Sequence, residues 1–122
     1  MEIMEPALAE ILGSGTVDWV LAAEVLWHAK QQGGAMTDDE ARRVILRILK
    51  HALDEGLIEV GDVGEGGFRR WNLSNAETLE RVDAILRERK DGLISEFWLN
   101  NTDKGDRLGL QVIEAQQQGK RA

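Results

Sequence analysis

Six cations carry the chemistry this sequence offers most openly. Arg43, Arg47 and Lys50 recur at i, i+4 and i+7, the spacing of one helix face, and Arg42 stands beside them. Arg69 and Arg70 follow a glycine-rich stretch. Guanidinium and ammonium groups set in a row can neutralise phosphates and release their counterions. If the segment of Arg69 and Arg70 folds beside the helix, then Arg42, Arg43, Arg47, Lys50, Arg69 and Arg70 are the candidate nucleic-acid contacts. Side chains alternate along a strand, so only one of Arg69 and Arg70 can join such a strip. The competing reading is a solvated helix face laced with local ion pairs, such as Arg47 or Lys50 with Asp54.

Other chemistry is thin. The chain has no cysteine, hence no disulfide framework, thiolate ligand or thiol nucleophile. Glu24 and His28 stand one helical turn apart, a spacing that suits two metal ligands, but His51 belongs to a different helix and no third ligand is recognisable. Ser14, Ser74 and Ser95 lie at turns or caps, with no His at a suggestive spacing. Gly64-Glu65-Gly66-Gly67 lacks the Lys-Ser/Thr of a phosphate-binding loop and reads as a hairpin tip. The expectation is a protein that is not an enzyme, with no catalytic residue, no cofactor and no metal.

The elements that must position the cations follow from periodicity and punctuation. Met4, Leu8, Ile11 and Leu12 predict a first helix, or a short docking helix, that stops at Gly13-Ser14-Gly15. Val17–Gln31 reads as a second helix ended by Gly33-Gly34, with a short strand near Thr16–Trp19 as the alternative. Thr37 and Glu40 form a capping box that opens a third helix, and Asp38 and Asp39 sit in its first turn, where the helix dipole favours anions. Its apolar stripe is Ala41, Val44, Ile45, Ile48, Leu49, Ala52 and Leu53, and Gly56 closes it. Leu57–Leu73 reads as strand, glycine tip, strand. Ser74 and Glu77 cap a fourth helix running to about Arg89, and Asp91-Gly92 reads as a turn. Phe97-Trp98-Leu99 reads as a short buried strand or extended segment, and Asn101-Thr102-Asp103 as the cap of a last helix that Gly105 and Gly109 weaken by about 1 kcal/mol each. All four tryptophans, Trp19, Trp27, Trp71 and Trp98, lie in apolar segments and read as core, with Trp71 beside the hairpin the one to watch.

At 122 residues the chain is expected to form one domain, residues 1–122. The net charge is -7 at pH 7, which opposes phosphate binding at long range, although a local basic patch can dominate within a Debye length of about 8–10 Å. No stretch is apolar enough to span a bilayer and no secretory signal is recognisable, so no membrane partner and a cytoplasmic location are expected.

Leu53-Asp54-Glu55-Gly56-Leu57-Ile58-Glu59-Val60 resembles the end of the recognition helix and the first wing strand of winged helix-turn-helix regulators. Phe97-Trp98-Leu99-Asn100-Asn101-Thr102-Asp103-Lys104-Gly105 is similar to the step into the final helix of several such families. With Asp18-Trp19 and the Phe68…Trp71 pair, the chain looks like small actinobacterial winged-helix proteins of no assigned activity. The resemblance implies a mainly α fold with a small antiparallel β-hairpin: a winged-helix core at about 4–73 and a helical C-terminal extension at about 74–118. Winged helices serve DNA, RNA and protein partners alike. This chain departs from the regulators by placing Asp38, Asp39 and Glu40 where the recognition helix would meet base edges. Two functions follow as expectations. One is a non-enzymatic regulatory module acting through protein–protein contacts, a homodimer paired through its terminal helices that also meets an unidentified protein partner. The alternative is a DNA-binding transcription regulator using the helix at about 38–54 and the wing at about 57–73, which the net charge and the three carboxylates disfavour.

Overall fold

The computed structural model describes residues 5–32, 34, 37–88 and 96–121. The expected helix position Met4, the Gly33 stop, the turn at Asp91-Gly92, Arg89 and Ser95 lie outside the described residues. In chain order the elements are α1 (Pro6–Gly15), β1 (Val20–Leu21), α2 (Ala22–Gln31), α3 (Asp38–Asp54), β2 (Ile58–Gly64), β3 (Gly67–Arg70), α4 (Asn75–Glu88), β4 (Trp98–Asn101) and α5 (Asp103–Arg121). The fold is mainly helical with a small four-stranded antiparallel sheet, in the order β1-β4-β2-β3.

Local chemistry sets several helix ends. At α3 the Thr37 hydroxyl accepts the Glu40 amide at 3.1 Å and donates to the Glu40 carboxylate at 3.2 Å, so the carboxylate meets the hydroxyl rather than the Thr37 amide. At α4 the box is reciprocal: the Glu77 amide donates to the Ser74 hydroxyl at 3.1 Å, and the Ser74 amide to the Glu77 carboxylate at 3.0 Å. Gly56, at φ 69°, turns the chain out of α3, and the Leu57 amide reaches back to the Ala52 carbonyl at 2.8 Å.

The second helix begins five residues later than its periodicity suggests. Val20 and Leu21 instead pair with Leu99 and Trp98 of β4, and the Asp18 carboxylate accepts the Trp19 amide at 2.8 Å. The alternative reading, a short strand near Thr16–Trp19, is thus met one residue further on, at Val20–Leu21, where β4 offers a ladder.

Strand β4 is one of the two inner strands of the sheet. Leu99 lies opposite Val20 on one side and Val60 on the other, all three at 3% exposure or less. The residues after Leu73 therefore supply an inner strand as well as two helices. Phe97, Leu8, Ile11, Leu12, Ile45 and Leu49 fill one core between the sheet and the helices.

Helix α5 packs along α1, and its glycines make that possible. A Cβ on Gly105 would overlap the Leu57 carbonyl oxygen, and one on Gly109 the Leu12 carbonyl oxygen. Asn101 fastens the same junction: its side-chain amide donates to the Leu12 carbonyl at 2.9 Å. The two residues expected to weaken the last helix are thus the ones that let it seat.

Candidate functional site

The four cations of α3 are each engaged by a carboxylate of the same chain. Arg43 meets Asp39 at 2.9 Å, and Lys50 meets Asp54 at 2.7 Å. Arg42 bridges Asp39 at 3.0 Å and Asp83 of α4 at 2.8 Å, with its side chain only 19% exposed. Arg47 reaches Glu5, ahead of α1, at 3.3 Å. Arg42 thus turns toward α4 and Arg47 toward α1, while Arg43 and Lys50 remain on the outer face of α3.

The electrostatics follow the geometry. The Arg42 hydrogen bond, then the Arg43 charge, holds the Asp39 carboxyl below its ordinary value, and Asp39 and Asp83 in turn raise Arg42. Lys50 lowers Asp54 in the same way. At Asp83, desolvation pushes upward but the hydrogen bonds from Arg42 and Arg87 outweigh it, and the net direction is down. Asp38, Asp39 and Glu40 occupy the first turn of α3, and Asp38 also receives Lys30 at 2.7 Å.

The wing arginines separate, as alternation requires. Arg70 lies opposite Gly61, on the sheet face away from the core, with Glu59 3.9 Å away. Arg69 lies opposite Asp62 on the other face and has no ion-pair partner among the described residues. At most one of the two can therefore share a face with the cations of α3.

The tryptophans divide in a way the sequence does not convey. Trp71 is core at 5% exposure, with the Arg81 guanidinium 4.0 Å above its ring. Trp27 is 54% exposed on the outer side of α2, contrary to its reading as core. Trp19 stands at 36%, its ring 6.3 Å from that of Phe68. Val17 at 86% and Leu110 at 58% flank the close contact of Thr16 with Gly109, where α1 meets α5. A helix face that buries Leu12 and Ile11 gives no sign that the turn beyond it exposes Val17.

A half-open cleft of about 860 Å³ lies where the start of α1, the second half of α3 and the start of α5 converge. Leu8, Ile48, Leu57 and Leu108 form its floor, and Glu5, Arg47, His51, Glu55 and Lys104 line its rim. Sequence reasoning missed it, because its walls come from three separate parts of the chain. The i, i+4 pair Arg47 and His51 was the one available signal.

His28 is buried, with Glu24 3.5 Å from one ring nitrogen and Gln32 3.1 Å from the other. Among the described residues no group of three His, Cys, Asp or Glu side chains is placed to hold a metal ion. No helix among them is long and apolar enough to cross a membrane. Comparison of the chain with protein-family models, with curated proteins and with solved structures finds no match.

Proposed function

We propose that the chain is a non-enzymatic regulatory module of winged-helix type that acts through protein–protein contacts, with a second copy of itself among its partners. The order of α2, α3 and the β2–β3 hairpin supports the winged-helix reading. One observation carries the preference for protein over DNA: every cation on α3 is already held by a carboxylate of the chain itself. Helix α3 carries four cations and four carboxylates and is electrically neutral as a unit. A phosphate approaching Arg43 or Lys50 also approaches Asp39 or Asp54, so the counterion release that drives DNA association is largely cancelled.

Val17 and Leu110 favour the terminal helices as the self-contact, since both stand exposed beside the seam of α1 and α5. Sedimentation from low micromolar to submillimolar concentration tests this. The wild type is expected to self-associate, and Val17→Ser with Leu110→Ser to remain monomeric with an unchanged melting temperature. A wild type that stays monomeric throughout removes the second copy from the list of partners.

A further inference from the structure

We propose that the cleft between α1, α3 and α5 binds an amphipathic monocarboxylate, its apolar body on the core floor and its carboxylate on Arg47 and His51. Neither Val17 nor Leu110 lines this cleft, and its binding does not depend on the self-association proposed above. The volume, about 860 Å³, lies within the range of small-molecule pockets, roughly 300–1,000 Å³. The floor of Leu8, Ile48, Leu57 and Leu108 offers nothing that can hydrogen-bond from a side chain, so the part of a ligand that reaches it must be hydrocarbon.

The rim decides the head group. Its two carboxylates are engaged, Glu5 by Arg47 at 3.3 Å and Glu55 by Lys104 at 3.7 Å. Its donors are in excess. A guanidinium has five N–H groups, and Arg47 commits one of them, in a long bond, while its side chain stays 63% exposed. The imidazole of His51, one helical turn along the same face, makes no hydrogen bond among the described residues. Lys104 spends one of its three N–H groups on the Glu55 carbonyl at 3.0 Å. Spare donors beside an apolar floor complement a carboxylate on a hydrocarbon chain. Glu5 already occupies the place at Arg47 that such a carboxylate would take. A ligand must compete with Glu5, and removing the Glu5 charge must help it.

Calorimetric titration with decanoate, decanol and decylammonium tests this on the full chain. Decanoate is expected to bind one per chain, at least tenfold more tightly than either analogue. Arg47→Ala with His51→Ala is expected to weaken decanoate at least tenfold without moving the melting temperature, since both side chains are exposed. Glu5→Gln is expected to strengthen it severalfold. The proposal is overturned if decanoate shows no saturable binding, if decylammonium binds as well as decanoate, or if the Arg47/His51 variant binds like the wild type. A Glu5→Gln variant that binds decanoate more weakly also overturns it, because Glu5 would then belong to the site rather than compete for it.

Discussion

Gly109→Ala puts two physical rules in opposition at one position. In the interior of an isolated helix, alanine is more stable than glycine by about 1 kcal/mol, so propensity alone predicts a gain. In this fold the added Cβ overlaps the Leu12 carbonyl oxygen and lies 2.7 Å from the Thr16 methyl carbon. The obstacle is the backbone of α1, which cannot rotate aside, so α1 and α5 must move apart. Overpacking of this kind costs about 1–3 kcal/mol, and a rigid carbonyl places it at the upper end. The net effect is a loss of about 2 kcal/mol, which for a domain of this size lowers the melting temperature by roughly 8 °C. Gly105→Ala should behave alike, because its Cβ meets the Leu57 carbonyl, the acceptor of the Thr102 amide at 3.0 Å. Gly64→Ala is the control: its Cβ meets open space and its φ is not positive, so the melting temperature should hardly change. Thermal unfolding followed by circular dichroism reads all three. A Gly109→Ala variant that melts some 4 °C above the wild type would show propensity winning and the α1–α5 seam to be looser than described.

Further outcomes follow from the same contacts. Asp83→Ala leaves Arg42 with Asp39 alone and frees Arg87, and should cost about 1 kcal/mol in urea unfolding after allowance for partial exposure, whereas Asp106→Ala, outside any ion pair described, should cost less. Ser74→Ala breaks the reciprocal capping box of α4 and should also cost about 1 kcal/mol. Asp39, Asp54, Glu77 and Asp83 all have lowered folded-state pKa values, so the stability they contribute is complete above the ordinary carboxylate range and lost as pH falls through the lowered values. Urea midpoints should therefore be level between neutral pH and about pH 5 and fall toward about pH 3; a midpoint that rises on acidification contradicts the assignment. Trp27→Phe should remove the most readily quenched part of the acrylamide-sensitive fluorescence, and Trp71→Phe the least.

Much of the helical frame was legible because its signals are local. Thr37 with Glu40 and Ser74 with Glu77 mark helix starts within four residues of sequence, and the i, i+4 pair Lys50 and Asp54 forms as its spacing predicts. Features built across the chain were not. Arg42 and Asp83 are 41 residues apart, and Arg47 and Glu5 are 42 apart, so no window contains both partners. Strand β1 needs β4, and its Val20 lies 79 residues before its partner Leu99. Gly105 and Gly109 share one face of α5, and that small-residue spacing was a usable clue to close helix packing. It was outweighed by propensity because the approaching carbonyls of Leu12 and Leu57 cannot be seen from α5 alone. Trp27 fits the apolar period of α2 well enough to pass for core, yet the period does not say which side of a short helix finds a neighbour.

If the cations of α3 are neutralised by their carboxylate partners within the chain, the helix offers phosphate no net positive face. Fluorescence anisotropy of a labelled mixed-sequence DNA duplex, titrated with the purified protein at low salt and then at rising salt, tests it most directly. Electrostatic association needs no operator sequence, so a working phosphate face would announce itself. The account predicts no saturable rise in anisotropy even at low salt. Binding that falls steeply as salt rises, and that Arg43→Glu with Arg47→Glu abolishes while the fold is kept, would contradict it and make the chain a DNA-binding regulator.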